Sequence, residues 1–183
     1  MEPILRIHLP EWRDSHAVTQ QVALSLSRGV GKVHLTGARG DRLLLAGLSG
    51  TWTADIRIDG DLGTELARNM NAPGVFVLAN GAAGAGAGSG MKAGTLVITG
   101  KAGPLLGTQL AGGEIWALAG AGARLAYRAE GGLIVASSGV GPMAMDRRRS
   151  GTLTFRSFPH PADDAQAMLA RIEAIRAWPV GQQ

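Results

Sequence analysis

The chain has 183 residues, a formal net charge of +4, 45% hydrophobic and 17% charged residues, and no cysteine. That length suits one domain with a substantial core, the apolar fraction excludes a disordered chain, and the absence of cysteine excludes disulfides, thiolate metal sites and thiol nucleophiles. The 28 glycines, set against 4% aromatic residues, are unusual for a compact domain and call for a structural cause.

Residues 1–30 read as an N-terminal strand and cap. Ile4, Leu5, Ile7 and Leu9 are set among charges as an edge strand would be, and 14–26 reads as a short capping helix. The N-terminus carries early charges and lacks the apolar run of a signal peptide, and no later stretch reaches the ~18 apolar residues of a membrane span. The expectation is a soluble, cytoplasmic protein.

From Gly31 the chain repeats itself. GKVHLTGARG at Gly31 matches GTLVITGKAG at Gly94, with Val33 and Leu35 predicted to face inward. Repeat starts at Ala54, Gly74, Gly94, Gly113, Gly132 and Gly151 follow one another at nearly constant spacing. Each opens a short apolar segment. The second position after each start reads Ile56, Phe76, Leu96, Ile115, Ile134 and Leu153, and the fourth reads Ile58, Leu78, Ile98, Ala117, Ala136 and Phe155. A period of two within a period of nineteen or twenty predicts stacked strands, hence a right-handed parallel β-helix over 31–158. Gly60/Gly63, Gly81/Gly84, Gly100/Gly103 and Gly120/Gly122 fall at one predicted corner, where stacked backbones favour a residue without Cβ.

Residues 159–183 read as a C-terminal helix belonging to the same domain. Its acidic start and basic end agree with the helix dipole, and Met168, Ile172 and Ile175 share one face. The outward third position of the repeat reads Arg57, Val77, Val97, Trp116, Val135 and Thr154. Val77, Val97, Trp116 and Val135 therefore form a predicted apolar interface, covered by the chain's own C-terminal helix, by a partner protein or by a second copy in a homo-oligomer.

The segments GDLGTELARNM (60–70), NGAAGAGAGSGMKAG (80–94) and GKAGPLLGTQLAGG (100–113) carry a family resemblance. With the surrounding coils, about 31–156, the chain resembles the glycine-repeat (GXGXG) β-helix at the C-terminus of glutamate synthase large subunits. It is also similar to the C-type subunit of formylmethanofuran dehydrogenase and of the related bacterial formyltransferase/hydrolase complex. Asn80, Ala119 and Ser138 stand where that pattern has corner glycines. The resemblance implies a non-catalytic scaffold or cofactor-docking subunit of a one-carbon enzyme complex; the alternative it leaves open is a small subunit that contributes to a glutamate synthase-like active site.

Candidate chemistry is sparse. GAAGAGAGSG (81–90) opens no helix and has a counterpart in each neighbouring coil, so it reads as corner packing rather than a phosphate loop. Ser89 lies in AGSGM, not in a G-x-S-x-G elbow. His8, His16, His34 and His160 have no metal-ligand spacing. No catalytic or metal residue is assigned, and no motif points to nucleic acid. Arg147, Arg148 and Arg149 form the one charge run, and Arg128, one repeat before Arg147, should stack beneath it. These four arginines are the candidate docking ridge for an anionic ligand; the resemblance makes a polyglutamylated methanofuran-type cofactor the candidate.

Overall fold

The computed structural model describes residues 4–137, 139–147, 153–158 and 163–179, of which 153–158, 163 and 164 are described by their backbone. The strands are β1 (Ile4–His8), β2 (Lys32–Asp41), β3 (Ala54–Leu62), β4 (Asn71–Asn80), β5 (Ala93–Ile98), β6 (Glu114–Ala117), β7 (Gly132–Ser137) and β8 (Leu153–Phe158). They form one eight-stranded sheet in chain order, every neighbouring pair parallel. Parallel strands that are neighbours in both chain order and space require each connection to wind once around. The architecture is a parallel β-helix flanked by two helices, α1 (Ser15–Ser27) and α2 (Asp163–Arg176).

Register assigns the core. Leu5, Val33, Ile56, Val77, Leu96, Ile115, Ile134 and Phe155 are paired from strand to strand, and Ile7, Leu35, Ile58, Ala79, Ile98, Ala117 and Ala136 form the parallel column beside them. Two strands need correction. In β4, Val77 and not Phe76 pairs with Ile56 and Leu96, so Val77 belongs to the central core while Phe76 and Leu78 face out. In β8, Phe155 and not Leu153 pairs with Ile134. Along the first column the coils shorten steadily from Leu5 to Leu96, hold one length from Val77 through Ile134, and lengthen again to Phe155, so only the middle coils keep the shortest repeat.

The opposite wall of the core is a second ladder, built from tight turns rather than strands. Residues 43, 45 and 47, and their counterparts 65/67/69, 86/88/90, 105/107/109, 124/126/128 and 143/145/147, all lie in the left-handed region. A non-glycine residue there costs on the order of 1 kcal/mol, and thirteen occupy it. The compensation is hydrogen bonding to both neighbouring coils. Gly47, Asn69, Gly90, Gln109 and Arg128 donate forward to Arg68, Ser89, Thr108, Tyr127 and Asp146 carbonyls, while Ala67, Gly88, Gly107, Ala126 and Met145 donate back to Leu44, Leu66, Ala87, Leu106 and Leu125. Between these peptide groups, Leu44, Leu66, Ala87, Leu106 and Leu125 point inward and meet the strand columns. At Gly88 there is no room for more, since an added Cβ would lie 2.5 Å from Ile115 Cδ1.

The first coil has no predecessor to accept its backward bond, and α1 supplies the acceptor. Leu45 N–H donates to Thr19 Oγ1 at 3.0 Å, and Thr19 in turn donates to Ser15 carbonyl at 2.8 Å. The helix starts at Asp14, whose carboxylate accepts Ala17 N–H at 2.8 Å. Val18, Val22 and Leu26 close the end of the central core.

Glycines fill a corner between the two walls. An added Cβ on Gly103 would lie 2.7 Å from Gly84 carbonyl carbon and 2.8 Å from Ala85 N, and Gly84, Gly122 and Gly141 crowd the preceding coil in the same way. Here glycine is needed for close approach. At Gly47 it is needed for conformation alone, with φ +72° and open space around. We expect Gly103→Ala to destabilise by about 2 kcal/mol through overpacking, and Gly47→Ala by about 1 kcal/mol through backbone strain, measured by urea denaturation. Equal effects at the two positions would contradict this division.

Candidate functional site

The outer face of the sheet is the first place to look, because four coils present apolar residues there. Phe76, Leu78, Val97, Trp116 and Val135 form a second buried cluster with Ile172 and Ile175 of α2, and Met168 packs against it. The helix crosses the strands, docked by Ile172 and Ile175 at 1% and 2% exposure, each contributing about 2 kcal/mol by burial. The predicted interface is corrected at Val77, which is in the core; of the coverings weighed for Val97, Trp116 and Val135, the chain's own helix is the one observed. Arg171 lies 4.1 Å from the Phe76 ring centroid and pairs with Asp55, fastening the exposed edge of α2.

A polar network holds the C-terminal end of that helix. Arg57, 8% exposed, donates from Nη1 to Ile175 and Arg176 carbonyls at 3.3 and 2.7 Å, at the C-terminal end of the helix, where the dipole favours a cation. Its Nε donates to Asp59 Oδ1 at 2.9 Å. Asp59 also accepts from His34 Nε2 at 2.7 Å and from Asn80 Nδ2 at 3.1 Å. Asn80 Oδ1 accepts from Arg176 Nε and Nη2 at 3.1 and 2.9 Å. Burial alone would push the Asp59 carboxyl up, but the bonds from His34, Arg57 and Asn80, with the Arg57 charge, outweigh it and hold it well below the usual carboxylate range. An ionised carboxylate only accepts, so His34 Nε2 carries the proton. His34 Nδ1 is buried without a hydrogen-bond partner.

The turn wall is the other exposed surface. A cavity of about 390 Å³ opens there across four coils, with Arg42, Thr64 and Arg68 on one side, Ser89, Gly86 and Gly90 at its floor, and Thr108 and Gln109 opposite. Ser89 lies at this cavity on the turn wall and His34 in β2 on the strand wall, bonded to Asp59, so the two do not form a nucleophile and base. The floor is no phosphate loop either: Gly86, Ser89 and Gly90 N–H groups are bonded to Pro104, Gly86 and Thr108 carbonyls.

Arg128 and Arg147 occupy equivalent left-handed positions of successive coils, as the repeat spacing predicts, and Arg128 N–H donates to Asp146 carbonyl. The Arg128 and Arg124 guanidinium carbons lie 5.3 and 5.9 Å from the Tyr127 ring centroid, within cation–π reach. Arg148 and Arg149 lie outside the described residues. Among those described, no group of three His, Cys, Asp or Glu side chains is arranged to hold a metal, and no helix is long and apolar enough to cross a membrane.

Sequence reasoning missed Arg57, Asp59 and Asn80 as a unit. The available signal was an arginine in the same outward column as Val97 and Trp116, with an aspartate two residues on. Arg42 and Arg68 carried no signal, since they stand outside the strand repeat. The chain matches no protein-family model, no curated protein and no solved structure.

Asp59→Asn leaves the buried Arg57 without its counter-charge and should destabilise by roughly 3 kcal/mol at neutral pH. Because its pKa is depressed on folding, the carboxylate stabilises at pH above its ordinary value of 3.8, and this contribution drains away as pH falls below that value. The difference in melting temperature between the chain and the variant should therefore be largest at neutral pH and shrink below about pH 4. A gap that is independent of pH would contradict the network's electrostatic role.

Proposed function

We propose that the chain is a non-catalytic β-helical subunit that organises a one-carbon formyltransferase/hydrolase complex of the formylmethanofuran type. The observation that carries this reading is the turn wall. Six successive turns hold the same left-handed backbone pattern, bonded coil to coil, and display Leu43, Arg124 and Met143 to solvent, with Leu43 and Met143 at 41% and 59% exposure. Such a surface is regular, pinned by backbone bonds, and mixed apolar and basic, which suits protein partners. The outer face of the sheet is already occupied by α2, so partner subunits would meet the turn wall.

The segments that carry the family resemblance, 60–70, 80–94 and 100–113, include the left-handed residues and corner glycines of three consecutive coils. The resemblance therefore rests on residues the architecture requires, and it supports a shared structural role more than shared chemistry. Within the complex, Arg128 and Arg147, continued by Arg148 and Arg149, would dock a polyglutamylated methanofuran-type cofactor through charge-assisted bonds to its carboxylates.

Co-purification of the tagged chain from its native cell tests the assembly. Formyltransferase and hydrolase subunits should travel with it, and Arg128→Glu with Arg147→Glu should release them while the thermal melt stays in place. Recovery of the chain alone, or only with itself, overturns the reading. Recovery with glutamate synthase subunits replaces it by the alternative.

A further inference from the structure

The cavity of the turn wall has a local cause that the rest of the wall lacks. The outward positions of each turn are its first, fourth and fifth residues. They read Glu65, Arg68 and Asn69 in one coil and Leu105, Thr108 and Gln109 in the next but one. The coil between them reads Gly86, Ser89 and Gly90. It is the one turn of the six with glycine at both flanking positions, so the ladder of larger side chains is interrupted by a notch one coil wide. The volume of about 390 Å³ falls at the lower end of the range of small-molecule sites.

The chemistry of the notch is that of side chains, since its floor peptide N–H groups are already bonded, Gly86 and Gly90 to the next coil and Ser89 within its own turn. Arg42 donates from Nε to Thr64 Oγ1 at 3.1 Å and has no carboxylate partner among the described residues. Arg68 donates from Nη1 to Glu65 Oε1 at 2.7 Å, which neutralises that pair. One guanidinium charge is left over. The side chains of Ser89, Asn69 and Gln109 make no hydrogen bond within the described chain. A guanidinium with free terminal nitrogens matches a carboxylate in two parallel bonds, and the neighbouring hydroxyl and amides match hydroxyl or amide groups on the same ligand.

We propose that this notch binds a small polar carboxylate, its carboxylate seated on Arg42 and its own hydroxyl or amide groups on Ser89, Asn69 and Gln109. A single negative charge balances the site. The Arg128 and Arg147 ridge takes no part in it, and the notch serves whether or not the chain assembles with other subunits.

Backbone amide NMR of the full chain tests this with gluconate and N-acetyl-L-glutamate as probes, and glucose as the uncharged control. Saturable shifts are expected in residues 64–69, 86–90 and 105–109 with both carboxylates, and none with glucose. Arg42→Gln should weaken binding by about tenfold, as the loss of a charge-assisted bond requires. Ser89→Met, which fills the notch and leaves the charge, should abolish binding, and Arg124→Gln should leave it unchanged. The amide spectrum reports in the same experiment that each variant is folded. The proposal is overturned if neither carboxylate saturates at tens of millimolar, or if Arg42→Gln binds as the parent does. Inorganic phosphate competing as well as the carboxylates would overturn the ligand class.

Discussion

Backbone hydrogen bonding between successive windings is the constraint from which the other features follow. Each inner turn gives two N–H groups to the coil ahead and one to the coil behind, so no winding is complete without its neighbours. The strand wall adds the parallel ladder. With both walls pinned, extra residues go where neither ladder runs, as in the longer early coils. The same accounting explains α1. Thr19 stands in for a missing coil by accepting the one peptide proton that the first turn would otherwise bury unpaired.

The two walls divide the surface of the molecule. On the strand side, side chains alternate between core and exterior, and the apolar exterior of the middle coils is sealed by Ile172 and Ile175. The tight turns of the other wall hold their outward residues in positions set by backbone bonding alone, free of side-chain packing. Substitution there changes the surface without disturbing the core. That freedom is why a notch, a basic ridge and exposed Leu43 and Met143 all occur on this wall.

Much of this was legible in the sequence, and the failures are physical. Regular spacing disclosed the solenoid because inward columns must stack, and Leu96, Ile115 and Ile134 at equal intervals leave no other reading. The slip at Val77 arose in the run Val75 to Ala79, which is apolar on both faces because α2 covers the outside; alternation, the usual guide to register, vanishes there. Placing Phe155 beside Ile134 required knowing that the last coil is longer, and a period of two cannot count pairs of residues. The Arg57–Asp59–Asn80 network was hidden because its purpose depends on a helix at the far end of the chain. The notch was visible as GAGAGSG, yet only the larger residues of the adjoining turns make those glycines a recess.

Stacked repeats ordinarily fray, since each winding touches only the next and an end can loosen while the middle stays intact. Here the C-terminal segment runs back across the outside from Val135 in β7, through Arg57 in β3, to Pro179, whose carbonyl accepts Arg6 Nη2 in β1 at 2.7 Å. The windings from β1 to β7 are thereby tied to one continuous piece of chain. Local melting at either terminus must lift that strap from every coil it crosses, and the one-dimensional array gains the all-or-none unfolding of a compact domain.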